Sequence, residues 1–399
     1  MNKILTTHAG SLTRPADLAA ALIFEPGGEC PPYAGPGTFD ERLSQGVRDI
    51  VRRQAEIGLD VVDDGEMSKT GWVHYAYWRL KGIEPRYVKL DEEEFEALIP
   101  KNLTREGLGQ QLGWFTPYQL KTNGQREGTE WVCTGPLEYD STALTRDLAN
   151  LKAALAGVNV TDAFVPCLSP GSVWYCRNEY YNTEEDFIFA FAEAMRNEYR
   201  AIIDAGFMLQ VDDPVIWNMY EVNQLRGGTE ADYRRWIEPR LAATNHALEG
   251  LPQERIRTHL CSASALGPHM FDPPLKAVID WVLKLNVGTY LIEFGNVRHE
   301  HEYHMWEEVS LPDDKVLAPG VVTHHTGMVE HPELVAERIT RFANLLGPER
   351  VIASTDCGFQ QSAFWERVPE WTQWAKLQAL VEGARIASQR LYGPRAEVA

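Results

Sequence analysis

The stretch RIRTHLCS (255–262) decides how this chain is read. A short run with β-branched residues that turns polar at its end reads as a strand leaving the core. In a strand, residues i and i+2 point to one face, roughly 6.5–7 Å apart. His259 and Cys261 therefore share a face, and Leu260 points the other way. Two readings follow. In one, the pair ligates a metal, since zinc–nitrogen bonds of about 2.0–2.1 Å and zinc–sulfur bonds of about 2.3 Å span the gap. In the other, Cys261 is a small buried hydrophobe beside a histidine bonded to a backbone carbonyl. The stretch alone leaves both open.

The same pattern recurs along the chain. Apolar runs ending in polar or glycine residues are ILTTHAGS (4–11), LDVVDDGE (59–66), EWVCTGP (130–136), FMLQVDDP (207–214), TYLIEFGN (289–296), APGVVTHH (318–325) and RVIASTDCG (350–358). DAFVPCLSP (162–170) reads as a ninth strand or a short accessory one. Between them lie segments with helical periodicity, clearest at 184–206, where Gly206 is the expected C-cap, and at 331–347. Strands alternating with helices imply a parallel sheet, and eight such units fit a (β/α)8 TIM barrel better than an open sheet. No GxGxxG or GxxxxGK[ST] follows a strand, which weighs against a nucleotide-binding open sheet. The Gly- and Pro-rich stretch 24–39 reads as a loop. Residues of about 68–130 break the rhythm and are expected to form an excursion over the C-terminal mouth of the barrel. The whole chain, 1–399, is expected to be one catalytic domain.

Composition narrows the function. Of 399 residues, 44% are hydrophobic and 24% charged, enough for a large core, and the net charge is −19. Such an acidic chain lacks the clustered Lys and Arg that nucleic acid requires. No apolar run approaches the about 18 residues of a membrane span. The start, MNKILTTHAGS, lacks a signal peptide's apolar core. Six cysteines are too sparse for a disulfide scaffold, so a cytoplasmic protein is expected. Homo-oligomerisation stays open.

In a barrel of this type the strand ends converge on one mouth, where chemistry is done. Here they supply Ser11, Asp64, Glu66, Asp212, Asp213, His259, Cys261, Glu293, His324, His325, Asp356 and Cys357. Core packing does not need such a concentration of carboxylates, imidazoles and thiols, and an active site does. His259, Cys261 and Cys357 are the soft ligand candidates, with Glu293 as the oxygen candidate.

The ordered set TTHAGSLTRP, DDGE, LQVDDP, HLC, IEF and TDCGF resembles the C-terminal catalytic barrel of cobalamin-independent methionine synthase, over nearly the whole chain. The resemblance implies a zinc ion (Zn2+) held by His259, Cys261, Glu293 and Cys357. It implies an enzyme, a methyltransferase that moves a methyl or other alkyl group to a small-molecule thiol, with zinc presenting the acceptor as a thiolate. Its partners would be that thiol and a methyl or alkyl donor such as a folate. It further implies that a substrate amino acid lies against Gly10 and Ser11, that its ammonium meets Glu66 and Asp212, and that His325 protonates the departing donor. An epoxide–thiol transferase or lyase would use the same thiolate chemistry.

Three departures point to altered substrates. The family's second ammonium-binding carboxylate is Asn218 here. The family's folate-stacking Trp has no counterpart at 135–142. The run NVRHEHEYH (296–304) places His299, His301 and His304 after Glu293. Those histidines form either a solvated loop or a basic clamp for an anionic substrate group.

Overall fold

The computed structural model describes residues 3–97, 118–120, 127–262, 272–363 and 366–393. Their strands, numbered in chain order, fall into two sheets. Eight belong to the first: β1 (Leu5–Thr6), β2 (Val61–Val62), β6 (Asp162–Leu168), β8 (Met208–Asp212), β9 (Ile256–Leu260), β10 (Thr289–Glu293), β11 (Val316–Val322) and β12 (Ile352–Thr355). Every recorded pairing among them is parallel, in the order β1-β12-β11-β10-β9-β8-β6-β2. Each strand lies beside its predecessor in the chain, which is the topology of a (β/α)8 barrel. The circle closes between β1 and β2. Asp60 N–H donates to Thr6 O at 3.2 Å, Leu12 N–H to Gly65 O at 3.1 Å, and Thr7 Oγ1 to Val61 O at 3.2 Å.

Helices wrap the barrel where the apolar spacing demands them. Glu184–Asp204 starts at Thr183, whose hydroxyl accepts Asp186 N–H at 3.0 Å, and it buries Phe187, Phe191, Met195 and Ile202 on one face. Pro332–Leu346 runs to Gly347, whose φ of +92° suits a residue without Cβ. No helix among the described residues is long and apolar enough to cross a membrane.

The second sheet holds β3 (Leu80–Lys89), β4 (Tyr118–Leu120), β5 (Glu127–Tyr139) and β7 (Cys176–Asn178). β5 pairs antiparallel with β3 and β4, and parallel with β7. This corrects one expectation. EWVCTGP lies in β5, outside the barrel, and DAFVPCLSP supplies the barrel strand β6 instead. Both are short apolar runs, and periodicity does not say which sheet a run joins. The antiparallel excursion thus continues past residue 130, through Tyr139. Residues 98–117 and 121–126 of the expected excursion lie outside the described residues.

Charge also enters the barrel interior. Arg257, on β9, stacks its guanidinium 3.5 Å from the Phe164 ring centroid. It donates to Gln210 Oε1 at 2.8 Å, Thr7 Oγ1 at 2.8 Å and His8 O at 2.7 Å. Burial lowers its pKa to about 9, against the pull of Asp63 and Asp212. A buried cation needs such a complete set of acceptors, and these tie β9 to β8 and β1.

Candidate functional site

The carboxyl ends of the strands meet in a pocket lined by Ala9, Ser11, Glu66, Trp72, Asp212, Pro214, His259, Cys261, Cys357, Gly358, Gln361 and Arg367. At its floor, one donor atom each from His259, Cys261 and Cys357 lie within 4.8 Å of one another, all three residues buried. Cys357 comes from the loop after β12, and the other two from the end of β9. Two sulfurs and one nitrogen at this spacing suit a thiophilic divalent ion, with room for a further ligand.

His259 is held from behind. Its Nδ1 lies 3.2 Å from Asp212 Oδ1, and that oxygen also accepts Gln210 Nε2 at 2.7 Å. A carboxylate on one ring nitrogen fixes the ring and raises the basicity of the other, the arrangement that usually backs a metal-ligating histidine. Arg257, Gln210, Asp212 and His259 thus form one hydrogen-bonded chain from barrel core to pocket. On this geometry, Asp212 orients His259 besides lining the pocket.

Glu293 does not join the three-residue cluster. Its Oε2 accepts Ser262 N–H at 2.6 Å and the Ser262 hydroxyl at 3.1 Å. Its Oε1 accepts Asn296 Nδ2 and lies 3.3 Å from His325 Nε2. Burial alone would raise its pKa, but the bond to His325 and the charge of that histidine hold it well below the usual carboxylate range. His325 is partly exposed, whereas His324 is buried, and burial keeps it neutral. The two lie in the bend after β11, which ends at Val322, with their rings 4.1 Å apart.

Across the pocket, Gly10 and Glu66 come together at the β1–β2 closure. Gly10 has φ +127°, and a Cβ there would sit 2.8 Å from both Glu66 Oε1 and Pro166 Cγ, so only glycine fits. Glu66 has φ +57°, a left-handed conformation that is rare without glycine. Asp64 Oδ1 accepting Glu66 N–H at 2.9 Å and Arg14 Nε donating to Glu66 O at 3.1 Å hold it there. The result turns a carboxylate into the pocket with a buried Oε2 that has no hydrogen-bond partner. Burial raises the Glu66 pKa to about 7, against Lys69 and with the help of Asp212.

Other expected site residues lie elsewhere. Asn218 is buried on the helix Val215–Leu225, outside the pocket lining. The basic clamp does not form at the pocket. His299 is buried with Nδ1 2.7 Å from Glu302 Oε1 and Nε2 3.8 Å from Asp272 Oδ2. His301 is exposed, and exposed His304 is paired with Glu307. The expected loop winds into a 3-10 helix, Glu300–Glu307. Its turn brings an acid three residues on beneath both His299 and His304, so neither offers an uncompensated positive charge.

Trp72, Gln361 and Arg367 line the pocket and carried no sequence signal, because they sit on loops beyond the strand ends. Their loops are tied together. Trp72 N–H donates to Gln361 O at 3.0 Å, Ala363 N–H donates to Thr70 O at 2.9 Å, and Gly71 bridges Ser362. The two segments form a strap across the mouth.

Comparison with known proteins bears on the family and the fold. Residues 130–385 match the family described as cobalamin-independent synthase, catalytic domain. The uncharacterized Bacillus subtilis protein YxjH is 25% identical over 388 residues, covering 94% of this chain and 92% of that protein. A methionine synthase of Sulfolobus acidocaldarius is 23% identical over 390 residues, covering 97% and 93%. A B12-independent methionine synthase from Shewanella, solved with selenomethionine, superposes with a TM-score of 0.68 at 18% identity, covering 98% and 100%. At that identity the superposition speaks to the fold.

Proposed function

This chain belongs to the cobalamin-independent synthase family, and from that premise we propose that it methylates a small amino-acid thiol of the homocysteine type. The observation that carries the reading is the convergence of two cysteine sulfurs, a carboxylate-backed histidine and an inward-facing Glu66 on one pocket. We assign zinc to His259, Cys261 and Cys357. Glu293, outside that cluster and held by the residue that follows Cys261, would supply the oxygen ligand that the family resemblance implies. When bound there, zinc would lower the pKa of an incoming thiol, normally near 8.5, so that the more nucleophilic thiolate meets the donor.

The chain's own residues do the rest. Asp212 and Gln210 fix the His259 ring. The Gly10–Ser11 turn and the Glu66 carboxylate receive the amino-acid end, with the ammonium on Oε2, which has no hydrogen bond but lies 3.9 Å from Lys69 Nζ. The Trp72 strap covers the mouth and limits water. We assign the proton for the departing donor to His325, which lies 3.3 Å from Glu293 and outside the lining of the pocket itself. The relative solved with selenomethionine holds an analogue of the product this reading requires. We treat residues 1–399 as one catalytic unit in the cytoplasm, acting on small molecules rather than on nucleic acid or membrane.

The test is zinc-loaded protein with homocysteine and a panel of methyl donors, including mono- and polyglutamyl methyltetrahydrofolate, with methionine as the readout. We expect methionine from at least one donor, and slow turnover with the folates because the family's stacking Trp is absent at 135–142. Folate turnover of about 1 s⁻¹ or more, the low end of ordinary enzyme rates, shows that this absence is harmless. No methyl transfer to any thiol from any donor overturns the reading.

A further inference from the structure

The chain's own sulfurs, Cys261 and Cys357, line the pocket into which the substrate sulfur is assigned. A metal-bound thiol has already lost its proton, so its reactivity toward carbon is set by its lone pairs. The proposed chemistry therefore gathers several thiolates at one ion, with a methyl donor at the mouth. Methylation of Cys357 would leave a neutral thioether, which is not among the groups zinc ordinarily takes. The site works only if its own sulfurs are poorer nucleophiles than the guest.

Gln361 is placed to make Cys357 such a sulfur. The residue is buried on the pocket wall, and its Nε2 donates to Cys357 Sγ at 3.4 Å and also to Gly358 O. Both amide hydrogens are thereby used. The amide cannot be turned round, because Oε1 accepts Arg367 Nε–H at 2.9 Å and a guanidinium only donates. The backbone is held as well. Gln361 O accepts Trp72 N–H at 3.0 Å, and Phe359 N–H two residues earlier donates to Ser11 O at 2.8 Å. The donor is thus aimed at the sulfur from both ends of the side chain. A hydrogen bond of this kind draws on thiolate lone-pair density, so the sulfur remains a ligand but attacks carbon less readily.

We propose that Gln361 is a positioning residue that acts through the Cys357 sulfur, capping one of its lone pairs so that Cys357 holds the metal while the substrate sulfur takes the methyl group. The inference rests on the assignment of a metal to His259, Cys261 and Cys357. The competing role is mechanical, with Gln361 only tying its loop to Arg367 and the Trp72 strap, and it treats the two cysteines alike.

Two substitutions of similar length remove the donor, Gln361→Met and Gln361→Glu, and the second keeps an oxygen for Arg367 Nε. Zinc-loaded wild type and variants are exposed to iodomethane without substrate. A sulfur lone pair forms the new bond to carbon, and iodide leaves with the carbon–iodine pair. Peptide mass spectrometry follows methylation of each cysteine over time. In both variants Cys357 is expected to react about three- to tenfold faster than in wild type, the worth of one ordinary hydrogen bond, with Cys261 changed by less than about twofold. Cobalt(II)-substituted protein gives a second readout. Its sulfur-to-cobalt charge-transfer absorption should move to longer wavelength in both variants, since a lone pair without a donor lies higher in energy, and cobalt content should stay at the wild-type value. Equal acceleration at both cysteines, an unchanged Cys357 rate, an unshifted band or loss of cobalt from both variants overturns the inference and leaves the metal assignment standing. A wild type that takes up neither zinc nor cobalt overturns the metal assignment, and this inference with it.

Discussion

The Asp356 carboxylate accepts Gly295 N–H at 2.6 Å and Phe294 N–H at 3.0 Å, so the residue before Cys357 fixes the backbone that follows Glu293. The fit is close. A Cβ on Gly320 would lie 2.3 Å from Asp356 Oδ1. Burial, and after it the Glu293 charge, pushes the Asp356 pKa well above its ordinary range, so a neutral amide is a fair stand-in.

Asp356→Ala strands two buried N–H groups, at about 1–3 kcal/mol each, and frees the Glu293 loop. Asp356→Asn keeps an acceptor oxygen. We expect the alanine variant to unfold at lower urea and to lose metal on dialysis, and the asparagine variant to stay near wild type. Indistinguishable variants in both measurements would show that these bonds do not position Glu293.

Metal analysis of purified protein should give one zinc per chain. The Cys261→Ser, Cys357→Ser double variant should give almost none, since hydroxyl oxygen is a poor substitute for thiolate at this ion. Chelation should lower the wild-type melting temperature, because an ion that binds only the folded chain adds to its stability. Stoichiometric zinc in the double variant removes both cysteines from the ligand set.

Glu66 makes stability fall with rising pH. Its folded pKa is about 7, against 4.5 for the unfolded group, with burial as the main cause. Below about pH 4.5 the group is protonated in both states and costs nothing. Between there and pH 7 the unfolded chain releases the proton first, so the folded state loses about 3 kcal/mol relative to it. Glu66→Gln removes this slope, and its advantage over wild type should grow from near zero at pH 4.5 to that amount at pH 8. Affinity for an ammonium-bearing thiol should run the other way, rising through pH 7 in wild type only. Parallel urea stabilities of the two proteins at pH 5 and pH 8 would refute the raised pKa.

His325→Ala should lower kcat by about 10²–10⁴-fold with the fold intact, the usual worth of a general acid. His324 stacks on His325, with ring centroids 4.1 Å apart, but is buried. His324→Ala should therefore act mainly on stability. A larger kcat loss in folded His324→Ala than in His325→Ala would exchange the two roles.

The barrel was legible because each strand advertises its end. Period-2 alternation placed His259 and Cys261 on one face, and the polar exits of the other strands pointed to the same mouth. Sheet membership was not legible, since EWVCTGP and DAFVPCLSP have similar composition and differ only in the partners the folded chain gives them. His299 was misplaced for a local reason. A histidine in a loop reads as available, but a 3-10 turn set Glu302 beneath it. Trp72 and Arg367 depend on pairing between loops far apart in sequence, which no window along the chain contains. Glu66 was legible as a strand-end carboxylate, its role toward an ammonium came from the resemblance, and its left-handed backbone appears only in the structure.

The closure between β1 and β2 is made by strands of two residues each. It is joined by a few backbone bonds and by the side chains of Thr7 and Asp60. Gly10 and Glu66 sit directly above it. This is where the barrel has least to hold it shut, so amide hydrogen exchange should begin there, ahead of the long ladders of β10 and β11. A ligand bridging the Gly10–Ser11 turn and Glu66 would clasp both edges at once. Occupancy of the pocket would then be readable at a distance, as slowed exchange at Thr6 and Asp60, in residues that never touch the ligand.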